Sequence, residues 1–155
     1  MSKPQVTVER RIAAPRERVW HGLTDLTGWP AVLSGVERVE VLSDGPFGVG
    51  TRWRETRRMF GKEATEEMWV TACTAPERYV VEADSHHTHY VSEFTLRAEG
   101  PDVTVVRLTF AAQPPGGVAG LLAKVFGALG SKAVAKALAK DLADVAASVE
   151  ARPSL

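Results

Sequence analysis

The rhythm of hydrophobic and polar positions changes several times along this chain. Over 5–13, Val6, Val8 and Ile12 alternate with Thr7, Glu9 and Arg11, the two-residue period of a half-buried strand. Arg10 falls on the apolar side, so that face is not fully dry. Ala14-Pro15 stops the strand, and Pro15 suits the first turn of a helix. Val19, Trp20 and Leu23 then recur at helical spacing and predict a short helix over 15–23. A break at Asp25–Gly28 precedes a second helical turn over 29–33, closed by Gly35.

The period of two then returns. Strands are predicted over 36–42, 51–59, 64–73, 78–84, 88–98 and 103–112. Between them stand turn signals, among them Ser43-Asp44-Gly45-Pro46, Phe60-Gly61-Lys62, Ser85-His86-His87 and Glu99-Gly100-Pro101-Asp102. This spacing describes an antiparallel meander rather than alternating strands and helices. After Pro114-Pro115-Gly116-Gly117 the texture changes again, to Ala, Leu, Lys and Val. Leu121, Val125 and Leu129 recur every fourth residue, and Val134, Leu138, Leu142, Val145 and Val149 extend the stripe, so 118–150 reads as one amphipathic helix. Unbroken it would run about 50 Å, against about 40 Å for the diameter of a domain this size. Gly127 and Gly130 are where it should bend.

Composition adds exclusions. Nothing repeats and no linker interrupts the 155 residues, so a single domain over 1–155 is expected. Lysine and arginine number 19, as do aspartate and glutamate, and the zero net charge argues against nucleic acid as a partner. The arginines of 52–58 and the stripe Lys132, Lys136, Lys140 read as solvated faces. Cys73 is the sole cysteine, which excludes an intrachain disulfide and makes a reducing, cytoplasmic setting the simpler reading. Residues 1–5 have no apolar core of the signal-peptide kind, and no run reaches the roughly 18 apolar residues of a membrane span. No P-loop, dinucleotide fingerprint or nucleophile elbow is present; Gly48-Val49-Gly50 precedes a strand, not a helix. No cofactor is implied. A monomer or a homodimer fits equally.

Strand phase selects the candidate site. Trp53, Glu55, Arg57 and Met59 share one face, and the burial sought by Trp53 and Met59 draws Glu55 and Arg57 inward, leaving Arg52, Arg54 and Arg58 to solvent. Glu55 and Arg57 then form an ion pair at the rim of the sheet or contact a ligand. On the next strand Met68 and Val70 are expected inward, with Glu66 on their side and Glu67 beside Trp69 on the other. On 88–98 the Phe94–Leu96 side is the expected core, which aims Tyr90 and Ser92 at a cavity mouth, where a hydroxyl orients a ligand or binds water. Trp29, Leu122 and Phe126 complete the expected lining. His86, His87 and His89 sit by a hairpin and read as exposed loop histidines; a metal site or a general base at His87 or His89 is the sharper alternative, and no metal is expected. Cys73, late in a strand, reads as a small buried side chain.

The order of strand, two short helices, meander and long helix resembles the α+β helix-grip architecture, also called START-like, SRPBCC or Bet v 1-like. More narrowly the chain resembles the polyketide cyclase/dehydrase group. The residues that carry this are Ile12-Ala13-Ala14-Pro15, Val19-Trp20, Leu23-Thr24-Asp25, Trp29-Pro30 and Gly50-Thr51-Arg52-Trp53, then Val70, Pro76, Tyr79, Phe94-Thr95-Leu96 and Val105–Phe110. The resemblance implies a curved antiparallel sheet of about seven strands gripping the C-terminal helix, with a cavity between them. It also implies a small hydrophobic partner: a lipid-, polyketide- or aromatic-like ligand. Two alternatives stand beside that reading. One is a cyclase or dehydratase using Glu55, Arg57, Tyr90 or a histidine as acid–base groups. The other is a helix-grip module that docks a protein partner.

Overall fold

The computed structural model describes residues 5–59, 61–85, 88–113 and 128–151. Strand β1 (Gln5–Ile12) leads into helix α1 (Arg16–Thr24), a single 3-10 turn (Leu26–Gly28) and the short helix α2 (Trp29–Val32). Strands β2 (Val36–Val41), β3 (Arg52–Met59), β4 (Lys62–Thr74), β5 (Arg78–Ser85), β6 (Thr88–Ala98) and β7 (Thr104–Gln113) follow, and helix α3 (Ala128–Glu150) is the last described element. All seven strands join one antiparallel sheet in the order β1-β7-β6-β5-β4-β3-β2. Each hairpin pairs with its sequence neighbour. The one long-range pairing brings β1 beside β7, so that the first and last strands lie together at one edge of the sheet.

The expected elements are present to within two residues at either end, apart from the long helix. Its segment 118–127, with Leu121, Leu122, Val125, Phe126 and Gly127, lies outside the described residues. Gly130 is inside the first turn of α3. Arg10 is exposed, on a strand at the edge of the sheet. At the β3–β4 reversal Met59 pairs with Lys62, and Gly61 supplies a φ of 78°, which side-chain-bearing residues rarely adopt.

The core lies between the concave face of the sheet and the helices. Ile12, Val70, Tyr79, Val106 and Leu108 face Val19, Leu23, Leu142, Val145, Ala146 and Val149. Helix α3 packs on β1, α1 and α2. At the α1 contact, a Cβ on Gly22 would stand 2.8 Å from Val149 Cγ1, so only glycine lets the helices come this close. Polar ties fix the helix along its axis. The Ala13 N–H donates to Glu150 Oε2 at 2.8 Å, and the Ser34 N–H and hydroxyl both donate to Asp144 Oδ2 at 3.0 Å. Among the described residues no helix is long and apolar enough to cross a membrane.

The convex face is charged and self-compensated. Arg52 and Arg54 meet Glu67, Arg54 also meets Glu40, and Arg58 meets Glu37 and Glu63. Exposed pairs of this kind contribute little to stability. Their physical meaning is the phase of β3: the three arginines point to solvent because Trp53, Glu55 and Arg57 point the other way.

Candidate ligand-binding site

Between the sheet and α3 lies a cavity of about 310 Å³. Sheet register builds its floor in rungs. Trp53 stands opposite Met68, Glu55 opposite Glu66 and Arg57 opposite Ala64 on β3–β4. Met68 pairs with Ala83 on β5, Ala83 with Tyr90 on β6, and Ser92 with Phe110 on β7. Alternation puts all of these on the concave face. The roof is Val134, Ala137, Leu138, Asp141, Leu142 and Val145, and Leu23, Trp29 and Leu33 close one end. The size suits a small molecule, since such pockets commonly begin at roughly 300 Å³.

Aromatic rings set its walls. Trp29 and Trp53 meet edge to face at 5.7 Å, Tyr79 stacks on Phe94 at 4.5 Å, and Tyr90 stacks on Phe110 at 5.3 Å. Trp53 and Tyr79 are each 1% exposed. The indole N–H groups of Trp29 and Trp53 are buried with no hydrogen-bond partner among the described residues. That arrangement costs stability and keeps the surrounding surface apolar.

One charged cluster interrupts this surface. Arg57 donates from Nη1 to Asp141 Oδ1 at 3.0 Å and from Nη2 to Glu55 Oε1 at 3.4 Å. Glu55 is 5% exposed, and the side chains of Arg57 and Asp141 are 21% and 20% exposed. Burial pushes both carboxyls above their ordinary values, against the pull of Arg57. Burial opposes the charge of Arg57 too, but Glu55 and Asp141 together hold the guanidinium firmly protonated. The cluster therefore binds protons more tightly than carboxylates in water do.

The sequence places Trp29, Trp53, Glu55, Arg57, Met68, Tyr90 and Ser92 at a site, and the fold brings all seven to this cavity. Leu122 and Phe126 lie outside the described residues. Asp141 is the residue that the strand-based reading omits. The expected Glu55–Arg57 pair is present, and Asp141 adds to it the shorter of the two contacts of Arg57. The signal was available: Asp141 sits three residues after Leu138 and four before Val145, on the stripe that faces the sheet.

The histidine reading needs a similar correction. His86 and His87 lie outside the described residues. His89 alternates with Tyr90 and so faces away from the cavity. Its Nδ1 is 2.6 Å from Asp84 Oδ1 and its Nε2 is 2.6 Å from Glu82 Oε1. Both nitrogens donate to carboxylates only when the ring is a cation. No group of three metal-ligating side chains is placed to hold an ion among the described residues. Cys73 is half-buried against the core, and burial raises its thiol, which leaves it a poor nucleophile.

His89 supplies a pH prediction. Asp84, then Glu82, raises the imidazole above its ordinary 6.5. The Thr71 hydroxyl, then His89, lowers Glu82 below 4.5. The raised base stabilises the fold fully below its unfolded value and ceases to as pH rises through the folded one. The lowered acid stabilises it above its unfolded value and ceases to as pH falls. The cluster thus contributes most between those limits. His89→Gln is expected to lower the urea midpoint at about pH 6 and to leave it unchanged at about pH 9. An equal loss at both would mean the imidazolium has no part in stability.

A curved seven-stranded antiparallel sheet, gripping a long C-terminal helix around an apolar cavity, is the Bet v 1/START-like, helix-grip class. Within it, the family model described as "Polyketide cyclase / dehydrase and lipid transport" matches residues 3–150, and the chain belongs to that family. No curated protein matches it by sequence. Among solved structures, TTHA0849 from Thermus thermophilus is 26% identical with a TM-score of 0.78, covering 97% of this chain and 100% of that one. The ZhuI aromatase/cyclase from a Streptomyces species is 21% identical with a TM-score of 0.78, over 96% and 94% of the two chains. A START superfamily protein from Mycobacterium smegmatis is 16% identical with a TM-score of 0.68, over 91% and 98%. The last two likenesses concern the fold alone.

Proposed function

We propose that the chain binds one small hydrophobic molecule in the cavity between the sheet and α3, as a carrier or sensor of that molecule. The observation that carries this reading is the cavity itself, about 310 Å³ and walled by Trp29, Trp53, Tyr79, Tyr90, Phe94 and Phe110. An interior of close-packed side chains would not leave such a space. Trp53, Met68, Tyr90 and Ser92 would touch the ligand body, and Glu55, Arg57 and Asp141 its polar end. The family description, which joins polyketide cyclisation to lipid transport, supports a hydrophobic ligand.

The test is saturable binding of a neutral fluorescent probe, N-phenylnaphthylamine, followed by dye emission and by tryptophan quenching. Ala83 is 5% exposed and points into the cavity from the centre of the floor. Ala83→Phe should fill that space and weaken the probe at least about tenfold, about 1.4 kcal/mol, while unfolding remains cooperative. Undiminished affinity in a folded Ala83→Phe protein would place the dye elsewhere and end this reading.

A second reading has its own support. Carboxyls that burial raises above their ordinary values, beside a guanidinium in an apolar pocket, are equipped for general acid–base work. On that reading the chain is a cyclase or dehydratase, with Glu55 and Asp141 exchanging protons with a ligand carbonyl or hydroxyl. Glu55→Gln separates the two: in a binding protein the variant changes affinity, whereas an enzyme keeps its affinity and loses turnover together with one limb of its pH profile.

A further inference from the structure

We infer that the molecule held in this cavity presents hydrogen-bond donors at its polar end, an ammonium first and hydroxyls next, and is not a carboxylic acid. This inference rests on the ligand-binding reading above and narrows it to a chemical class. Three carboxylates, Glu55, Glu66 and Asp141, share the lining with Arg57, the sole basic residue there among the described residues. Arg57 is already committed, with Nη1 on Asp141 and Nη2 on Glu55. An incoming carboxylate would share one guanidinium charge with two carboxylates that already face it, and would bring a further anion into an apolar cavity.

The remaining lone pairs point the same way. Glu66 stands directly opposite Glu55 in the β3–β4 register, and like charges so placed repel. Glu66 makes no hydrogen bond or ion pair among the described residues, and its charge reaches Tyr90, whose phenol is raised by burial first and by Glu66 second. A cation or a cluster of donors placed between Glu55, Glu66 and Asp141 would relieve that repulsion, whereas an acid would add to it. The aromatic walls favour a cation as well, since ring faces attract positive charge.

The experiment displaces N-phenylnaphthylamine from the full chain at neutral pH with three compounds of one ring system: naphthylethylamine, naphthylethanol and naphthylacetate. The expected order is amine, then alcohol, then acid, with the acid weaker than the amine by at least about tenfold. Glu66→Gln and Asp141→Asn should each narrow that ratio to about threefold or less, because each removes one carboxylate. An acid that competes as well as the amine, or a ratio that both variants leave unchanged, overturns the inference while the dye's own binding leaves the broader reading standing. A dye that does not bind at all removes the broader reading, and the inference with it.

Discussion

Leu142→Ala is expected to cost about 2–5 kcal/mol of folding stability. Leu142 is 1% exposed and sits where α3 crosses the floor of the sheet, among Leu23, Trp53, Val70 and Val145. Truncation removes three carbons from a contact that the ties at Glu150 and Asp144 prevent from collapsing. The result belongs toward the upper part of that range because the new space joins an existing cavity, whose wall Leu142 forms. Some of the loss should return on adding N-phenylnaphthylamine, since a ligand that binds only the folded state stabilises it by mass action. Urea denaturation with and without dye measures both quantities. A cost under about 0.5 kcal/mol would take Leu142 out of the core and with it the docking of α3.

The meander was legible because half-buried strands write their own period. Trp53, Glu55 and Arg57 were assigned to one face from alternation alone, and the arginines between them were assigned to solvent. Alternation fails where the ladder is irregular. On β4 the residues before the bulge face inward at even positions, Met68 and Val70, whereas after the shift between Val70 and Ala72 it is Cys73 that pairs with inward-facing Tyr79. No single phase describes that strand, which is why its sequence supports two. Before the bulge, alternation with Met68 and Val70 puts Trp69 outward, under the Arg52 guanidinium at 4.9 Å.

The site was legible mostly where a strand contributed to it, with Trp29 the exception on a helix. Tyr79 and Phe94 are fifteen positions apart and stack because β5 and β6 pair in one register, and no local pattern states that register. His89 meets Glu82 and Asp84 through the same hairpin, so its partners are visible only after folding. Asp141 is a different failure. Its place on the helical stripe was readable, but a stripe defined by apolar residues hides the one charged side chain that shares it. Buried charge is the informative exception on an apolar face, and here it proves to be the partner that Arg57 holds at the shorter distance.

Arg57→Met is expected to destabilise the protein by about 3–5 kcal/mol at pH 8 and by much less near pH 4. Methionine keeps the length and apolar stem of arginine, so the change isolates the charge. Without the guanidinium, Glu55 and Asp141 lose the interaction that lowers them and are left to burial, which raises both. A carboxyl raised in the folded state contributes stability that is complete below its unfolded value, 4.5 for Glu55 and 3.8 for Asp141, and is lost as pH rises through the folded one. The deficit of Arg57→Met must therefore grow with pH. Glu55→Gln should behave in the opposite sense. Arg57 keeps Asp141 at 3.0 Å, so no cation is stranded, and removing an acid already raised by burial makes the variant equal to or more stable than the native chain above about pH 4.5. Combining the two should return part of the Arg57→Met loss, because only Asp141 then remains without its partner. Urea midpoints of the three variants across this pH range decide the matter. A deficit of Arg57→Met that does not change with pH would show that both carboxylates reach water, and that the polar end of the cavity is open rather than sealed.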